Sequence, residues 1–308
     1  FAVLFVVLAG IGISLMTRRA RLAHAADPSG GRALLKEKRK RLFRRAMFLF
    51  VSGLVFSAVW PADILHYYGV YMLLALAVLT WSGRSLWFLI GGFGFGFLLL
   101  FLFFDWGQNW DWTTLTYQNV WTVNGFFLNT FFNGFHPVFP WFGFLVFGML
   151  LGRIDLTSRD VQIRCLLAAG TIVVVIESAA YGLVPFWDSE WKGVMTTLAF
   201  PPLPLFMVSG GCTSLVIIIL SLMMTGILPR MLTMPVVRTG QMVLTHYIAH
   251  VVIAMALLES FGLLHNRSLG EAFGVTVSYY VLTVLFSVIW HKYHSKGPME
   301  RLMRSISG

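Results

Sequence analysis

Four places in the chain combine residue types and spacings that can do chemistry. In Asn133-Gly134-Phe135-His136-Pro137, followed by Val138-Phe139-Pro140-Trp141, one glycine and two prolines hold a histidine on non-helical backbone. Such backbone at membrane depth is tolerated only where protein or a cavity surrounds it. A positioned imidazole there suits general-base work, taking a proton from a hydroxyl or an amine; the plainer alternative is a turn histidine bonded to backbone. In Asp63-Ile64-Leu65-His66-Tyr67-Tyr68-Gly69, Asp63, His66 and Tyr67 stand at i, i+3 and i+4 and share a helix face. A carboxylate beside an imidazole fixes its tautomer and raises its basicity. Alternatively Asp63 only caps the helix that follows Pro61.

The third place is Thr245-His246-Tyr247-Ile248-Ala249-His250. His246 and His250 are one turn apart, a spacing that can bind a metal, but no glutamate completes an H-E-x-x-H arrangement. The reading is a polar stripe facing the bundle interior, with no metal. The fourth is Glu177, about 20 Å along its helix from Arg164 by helical rise. It is a proton-carrying or substrate-binding acid, or else a packing residue bonded to Ser178 or Tyr181. Arg153 and Arg238, at span ends, anchor helices or hold phosphates, a role suited to arginine.

The elements that must position these groups are transmembrane helices. The 308 residues are 57% hydrophobic, 16% aromatic and 12% charged, with mean hydropathy +0.77. A soluble domain carries about 25% charged residues, so an ordinary cytosolic enzyme is excluded. The apolar runs are continuous, unlike the alternating strands of a membrane barrel. The fold class is therefore all-α, a polytopic bundle of about nine spans. They fall near residues 1–16, 46–60, 64–81, 85–104, 137–152, 164–184, 205–227, 240–259 and 272–290, with 46–81 readable instead as a re-entrant pair.

Charge orients the bundle. All but two of the 23 lysines and arginines, Lys192 and Arg267, fall on the side of the 17–45 loop and the C-terminus. Cytoplasmic loops collect positive charge, so that side is cytoplasmic. The net charge of +10 then reflects orientation and anionic lipid, and nucleic-acid binding is not expected. The opposite side carries two aromatic loops, 105–136 and 185–204. The first interleaves Trp106, Trp110, Trp112, Tyr117 and Trp121 with asparagines; the second has Trp187, Asp188, Glu190 and Trp191. They read as an interfacial belt or as a sugar-binding or lid surface. Cys165 and Cys212 lie in apolar runs and read as small core residues. Asn266-Arg267-Ser268 is a glycosylation sequon, relevant only in a glycosylating compartment.

Several blocks together resemble the heparan-alpha-glucosaminide N-acetyltransferase-like group of bacterial transmembrane acyltransferases. They are Asp63–Gly69; Asn133–Trp141 running on to Phe147-Gly148-Met149-Leu150-Leu151-Gly152-Arg153; Thr239-Gly240-Gln241-Met242-Val243-Leu244-Thr245-His246-Tyr247; and Gly297-Pro298-Met299-Glu300. The resemblance implies one integral membrane domain over 1–308 and ten or eleven spans in a full member. It implies transfer of an acyl group from cytoplasmic acyl-CoA, acetyl-CoA among them, to an acceptor across a bacterial inner membrane. The acceptor expected is a saccharide or glycoconjugate, and a homodimer is a candidate assembly. Members of the group begin with a helix carrying an Arg-Gly motif and an outer loop that in some holds the catalytic histidine. Phe1 falls at the start of the next helix, so either an N-terminal helix precedes this sequence or the chain lacks that part, which would leave it inactive.

Combined with that resemblance, the residues sort into roles. His136 is the base, supported by Asp63 or His66. Asn133 or Tyr67 donates a hydrogen bond, and Glu177, His246 and His250 line the substrate path. Arg153 and Arg238 grip CoA phosphates. The rival readings are a proton-coupled transporter or flippase for a polar or lipid-linked substrate, using the same His and Glu residues, and a non-catalytic sensor with the basic loop as partner site.

Overall fold

A computed structural model describes residues 2–183, 186, 195–263 and 267–308. Trp187, Asp188, Glu190, Trp191 and the sequon's Asn266 lie outside the described residues. The chain divides into two compact units, Phe1–Met223 and Met224–Gly308.

The first unit opens with α1 (Ala2–Ala26) and α2 (Gly31–Ser57), joined by a turn in which Asp27 accepts from the backbone and hydroxyl of Ser29. Then come α3 (Leu65–Val78) and α4 (Gly83–Phe103), which starts under a Ser82 cap accepting from Ser85 N. A small hairpin follows, strand β1 (Trp110–Asp111) pairing antiparallel with β2 (Thr116–Tyr117), Trp110 opposite Tyr117. The 105–136 segment was expected as an aromatic loop; it is this hairpin plus α5 (Val123–Leu128) and one π-helical turn (Asn129–Asn133). Asn109 and Asn119 flank the hairpin with positive φ, a conformation asparagine tolerates better than most residues. The unit continues with α6 (Val138–Leu151) and α7 (Arg159–Leu183), and α8 (Pro204–Ile227) carries the chain across the unit boundary.

Glycines set the helix crossings. A Cβ on Gly10 would sit 2.0 Å from Leu145 O, and one on Gly148 would sit 2.0 Å from Val7 O. Gly152 faces Ser14 in the same way, so α1 and α6 run in the same direction with their backbones touching. Gly53 of α2 abuts the backbone of His66, and Gly69 of α3 abuts Phe50, which packs α2 antiparallel to α3. Arg153, just past α6, donates to Trp81 O at 2.7 Å and Leu79 O at 3.4 Å, just past α3. The starts of α3 and α6, with His66 and His136, therefore lie at one end of the unit, and the arginines near the end of α1 and just past α6 at the other. α6 alone spans about 21 Å by helical rise.

The second unit has α9 (Arg230–Gly240), α10 (Val243–Ala249), a π-helical turn (His250–Met255), α11 (Ala256–Ser260), α12 (Leu269–Trp290) and α13 (Pro298–Ser307). Here α9 packs on α12 and α10 on α13.

Among the described residues, six helices are long and apolar enough to cross a membrane. The bent pair Val123–Asn133 and Val138–Leu151, at 49°, makes a seventh if it is one span. The runs expected at 46–60 and 64–81 fall on the second half of α2, whose first half is basic, and on α3, which has 14 residues. Neither is a full-length apolar helix of its own. Large apolar side chains such as Phe88 and Phe103 stand outward on α4, the arrangement of a helix whose solvent is lipid rather than water. The architecture is an all-α, multi-pass membrane bundle.

Candidate active site

The site is built where α3 and α6 begin. Asp63 is fully buried. Its Oδ2 accepts from Leu65 N at 2.8 Å and His66 N at 3.2 Å, and lies 3.3 Å from His66 Nδ1. Both readings of this carboxylate hold at once: it caps α3 and it contacts the imidazole. The contact puts a proton on His66 Nδ1 when the ring is neutral, leaving Nε2 as the acceptor. The His66 ring lies against Tyr67, centroids 3.9 Å apart, and Tyr67 meets His136 edge-on at 5.9 Å. Asp63 thus reaches His136 through two intervening rings.

His136 occupies the break between the π-helical turn and α6. Its backbone is fixed by Tyr71, whose hydroxyl donates to His136 O. Pro137 then starts α6, and a non-helical Phe139 kinks its first turn. The imidazole packs on Trp141, centroids 4.6 Å apart and nearly perpendicular. Among the described residues, His136 Nδ1 and Trp141 Nε1 are both buried with no hydrogen-bond partner. A buried polar atom without a partner costs about 1–3 kcal/mol. Two such atoms on touching rings mark a place where a ligand can supply what the protein does not.

The other two expected donors are engaged. Tyr67 donates to Asn129 Oδ1 at 2.6 Å. Asn133 gives both amide hydrogens to backbone, at Trp106 O (3.1 Å) and Gln108 O (2.8 Å), while its Oδ1 accepts from Tyr117 at 2.8 Å. Trp110 Nε1 donates to Asn133 O at 2.7 Å. Asn133 thereby ties the β1–β2 hairpin to the His136 segment. The hairpin's Trp110 packs edge-on against both Phe135 and Phe200, which stack on each other. The result is an aromatic cover over the segment that carries His136.

The remaining candidates sit elsewhere. Glu177 on α7 accepts from Ser209 of α8 and from Thr197 at 2.9 Å, rather than from Ser178 or Tyr181, the partners of its packing alternative. Phe206, one turn before Ser209, touches Trp141, so Glu177 belongs to the same end of the unit as His136. Arg153 is at the opposite end, with two of its nitrogens committed to backbone carbonyls. Arg21 is its neighbour in charge and is itself held by Ser14 and Thr17. Arg238, His246 and His250 belong to the second unit. Arg238 ends α9. His246 Nε2 bonds Ser287 Oγ at 2.7 Å, and His250 packs on Tyr279. Glu300 accepts from Leu244 N, Thr245 N and the Thr245 hydroxyl, capping α10.

Sequence reasoning missed Tyr71, Asn129 and Trp110 as positioning groups, and Trp141 as more than packing. Tyr71 had a signal, since it follows Tyr67 by one helical turn. Asn129 and Trp110 had none that a single sequence can carry.

One end of the first unit thus holds a buried carboxylate, two imidazoles and a tyrosine, and the other end holds arginines. Residues 1–179 match the family described as heparan-alpha-glucosaminide N-acetyltransferase, catalytic, and the chain belongs to it: it is a member of a membrane acetyltransferase family. Residues 151–308 match the family described as protein of unknown function (DUF418). Neither the curated proteins nor the solved structures contain a match.

Proposed function

We propose that the protein transfers an acetyl or other acyl group from acyl-CoA, approaching the basic end of the first unit from the cytoplasm of a bacterial cell, to a saccharide or glycoconjugate acceptor at the His136 end. The observation that carries this reading is the buried, partnerless Nδ1 of His136. It sits on a backbone pinned by Tyr71, at the far end of α6 from Arg153.

In the reaction, His136 takes the proton of the acceptor O–H or N–H. The freed heteroatom attacks the thioester carbonyl carbon, the new C–O or C–N bond forms, and the C–S bond breaks. CoA leaves as a thiolate and recovers the proton from the imidazolium, giving free thiol and a neutral histidine. General-base assistance of this kind contributes about 10²- to 10⁴-fold. Asp63, His66 and Tyr67 are positioning residues that brace the His136 ring from one side.

The aromatic hairpin packs on Phe135, next to His136, and so flanks the way in for an acceptor. Its tryptophans and asparagines suit a polyol, whose C–H faces stack on indoles and whose hydroxyls bond amides. Glu177, with Ser209 and Thr197, offers further acceptors at the same end. Phosphates of the donor fit the basic end, where Arg153 and Arg21 stand close in a place ordered by helix backbone.

The test is purified protein in liposomes with acetyl-CoA and a panel of amino sugars, reading released thiol and the mass of the product. Wild type should give acetylated sugar and free CoA, and His136→Ala should lose about 10³-fold. Full activity in His136→Ala would remove the base assignment. No product with any acceptor, alongside saturable sugar uptake, would favour a transporter.

A further inference from the structure

The proposed chemistry needs a second group, one that stabilises the oxyanion formed when the carbonyl is attacked. The two side chains that the sequence offers for this are unsuited in the folded protein. Tyr67's proton is given to Asn129, and both of Asn133's are given to the hairpin backbone. One donor beside His136 is uncommitted. Trp141 is 3% exposed, its Nε1–H has no partner among the described residues, and its ring is in contact with the His136 imidazole.

We infer that Trp141 is a catalytic residue whose indole N–H donates to the acyl carbonyl oxygen as that oxygen becomes an oxyanion. The inference rests on the acyltransferase reading above.

Three features support it. First, base and donor must flank one carbonyl, and these two rings touch. Second, an indole N–H can only donate, and among the described residues no acceptor already holds this one. Third, the ring is held rigidly, wedged against Phe144 and Phe206 as well as His136. A fixed donor needs no reorganisation when charge develops, which is what makes such groups effective. The kink at Phe139 has a role here too. A straight first turn would place residue 141 where helix geometry dictates; the non-helical Phe139 resets its direction relative to His136. Trp106 Nε1 is also buried without a partner, but that ring packs on Trp112 and Phe200, within the hairpin cover.

The experiment compares His136→Ala, Trp141→Phe and the benzothienyl isostere of tryptophan at position 141, which keeps ring shape and replaces N–H with sulfur. Each is assayed in liposomes with acetyl-CoA and the amino sugar that wild type acetylates best, with thermal unfolding as the check on folding. The expected result is that both position-141 variants lower kcat by about 100-fold while KM for acetyl-CoA changes less than about threefold. A benzothienyl variant with wild-type kcat would overturn the inference, because packing alone would then suffice; this holds even where Trp141→Phe fails to fold. If His136→Ala is inactive and both Trp141 variants are fully active, the inference falls and the acyltransferase reading stands. If wild type acetylates none of the sugars, or His136→Ala is fully active, the reading falls and takes the inference with it.

Discussion

The molecule holds two histidine sites, and they are opposites. In the first unit His136 has a buried ring nitrogen with nothing to bond, beside an indole in the same condition. In the second unit His246 has its Nε2 on Ser287, its carbonyl accepts from Tyr279 at 2.7 Å, and its helix is capped by Glu300. Both histidines lie in polar blocks of apolar stretches, the first read from sequence as a base on irregular backbone and the second as part of a polar stripe. Their surroundings separate them. In the second site the half-buried His246 has its Nε2 and its carbonyl engaged by Ser287 and Tyr279, as polar groups in a stable scaffold normally are. His136 instead leaves its Nδ1 without a partner among the described residues. A histidine earns a functional reading from what it lacks.

The comparison is broken most directly by exchanging the fates of the two residues. His136→Gln should lose about 10³-fold in turnover with unfolding near wild type, whereas His246→Gln should keep turnover within about twofold. Equal losses at both would end the distinction.

A sharper probe is Glu300→Ala. It strips three charge-assisted hydrogen bonds from α10 and should cost about 3 kcal/mol, read as earlier chemical or thermal unfolding of Met224–Gly308. Turnover per folded molecule should hold.

Asn133→Ala acts on the other side of the contrast. It leaves Trp106 O, Gln108 O and the Tyr117 hydroxyl without their partner, at a cost of about 2 kcal/mol. Hydrogen exchange should rise in residues 105–118 and stay unchanged in α6.

The smallest effect is pH-dependent. Asp111 Oδ1 accepts from Thr113 N, the Thr113 hydroxyl and Thr114 N, and these bonds hold its carboxyl down to about 2 from 3.8. A depressed carboxylate stabilises the fold above its unfolded value and loses that contribution as pH falls through its folded value. The hairpin turn should therefore be insensitive to pH above about 4 and loosen between there and about 2, read in the fluorescence of the hairpin tryptophans. Asp111→Asn should abolish that dependence.

Much of this was legible in the sequence because it is local. Continuous apolar runs gave the helices, and i, i+3 spacing joined Asp63 to His66. A proline and glycine frame marked His136 as standing on irregular backbone. The parts that were not legible are pairs far apart in the chain. Tyr67 with Asn129, Trp110 with Asn133 and Thr245 with Glu300 each need two helices or a hairpin placed against one another, and no periodicity encodes that. The span count shows the same limit. Residues 46–81 are apolar enough to suggest two spans, but the first run is the tail of a 27-residue helix with a basic head, and α3 is short. The hairpin escaped notice because its turn is set by one aspartate and two threonines inside an aromatic stretch.

The meeting of Gly10 with Gly148 has a mechanical consequence. With no room for even a methyl group between them, α1 and α6 cannot slide or roll past each other without steric collision. They form a double-barrelled strut. A methyl group at either glycine would wedge that strut apart and shift the head of α6, which carries Trp141 and follows directly on His136.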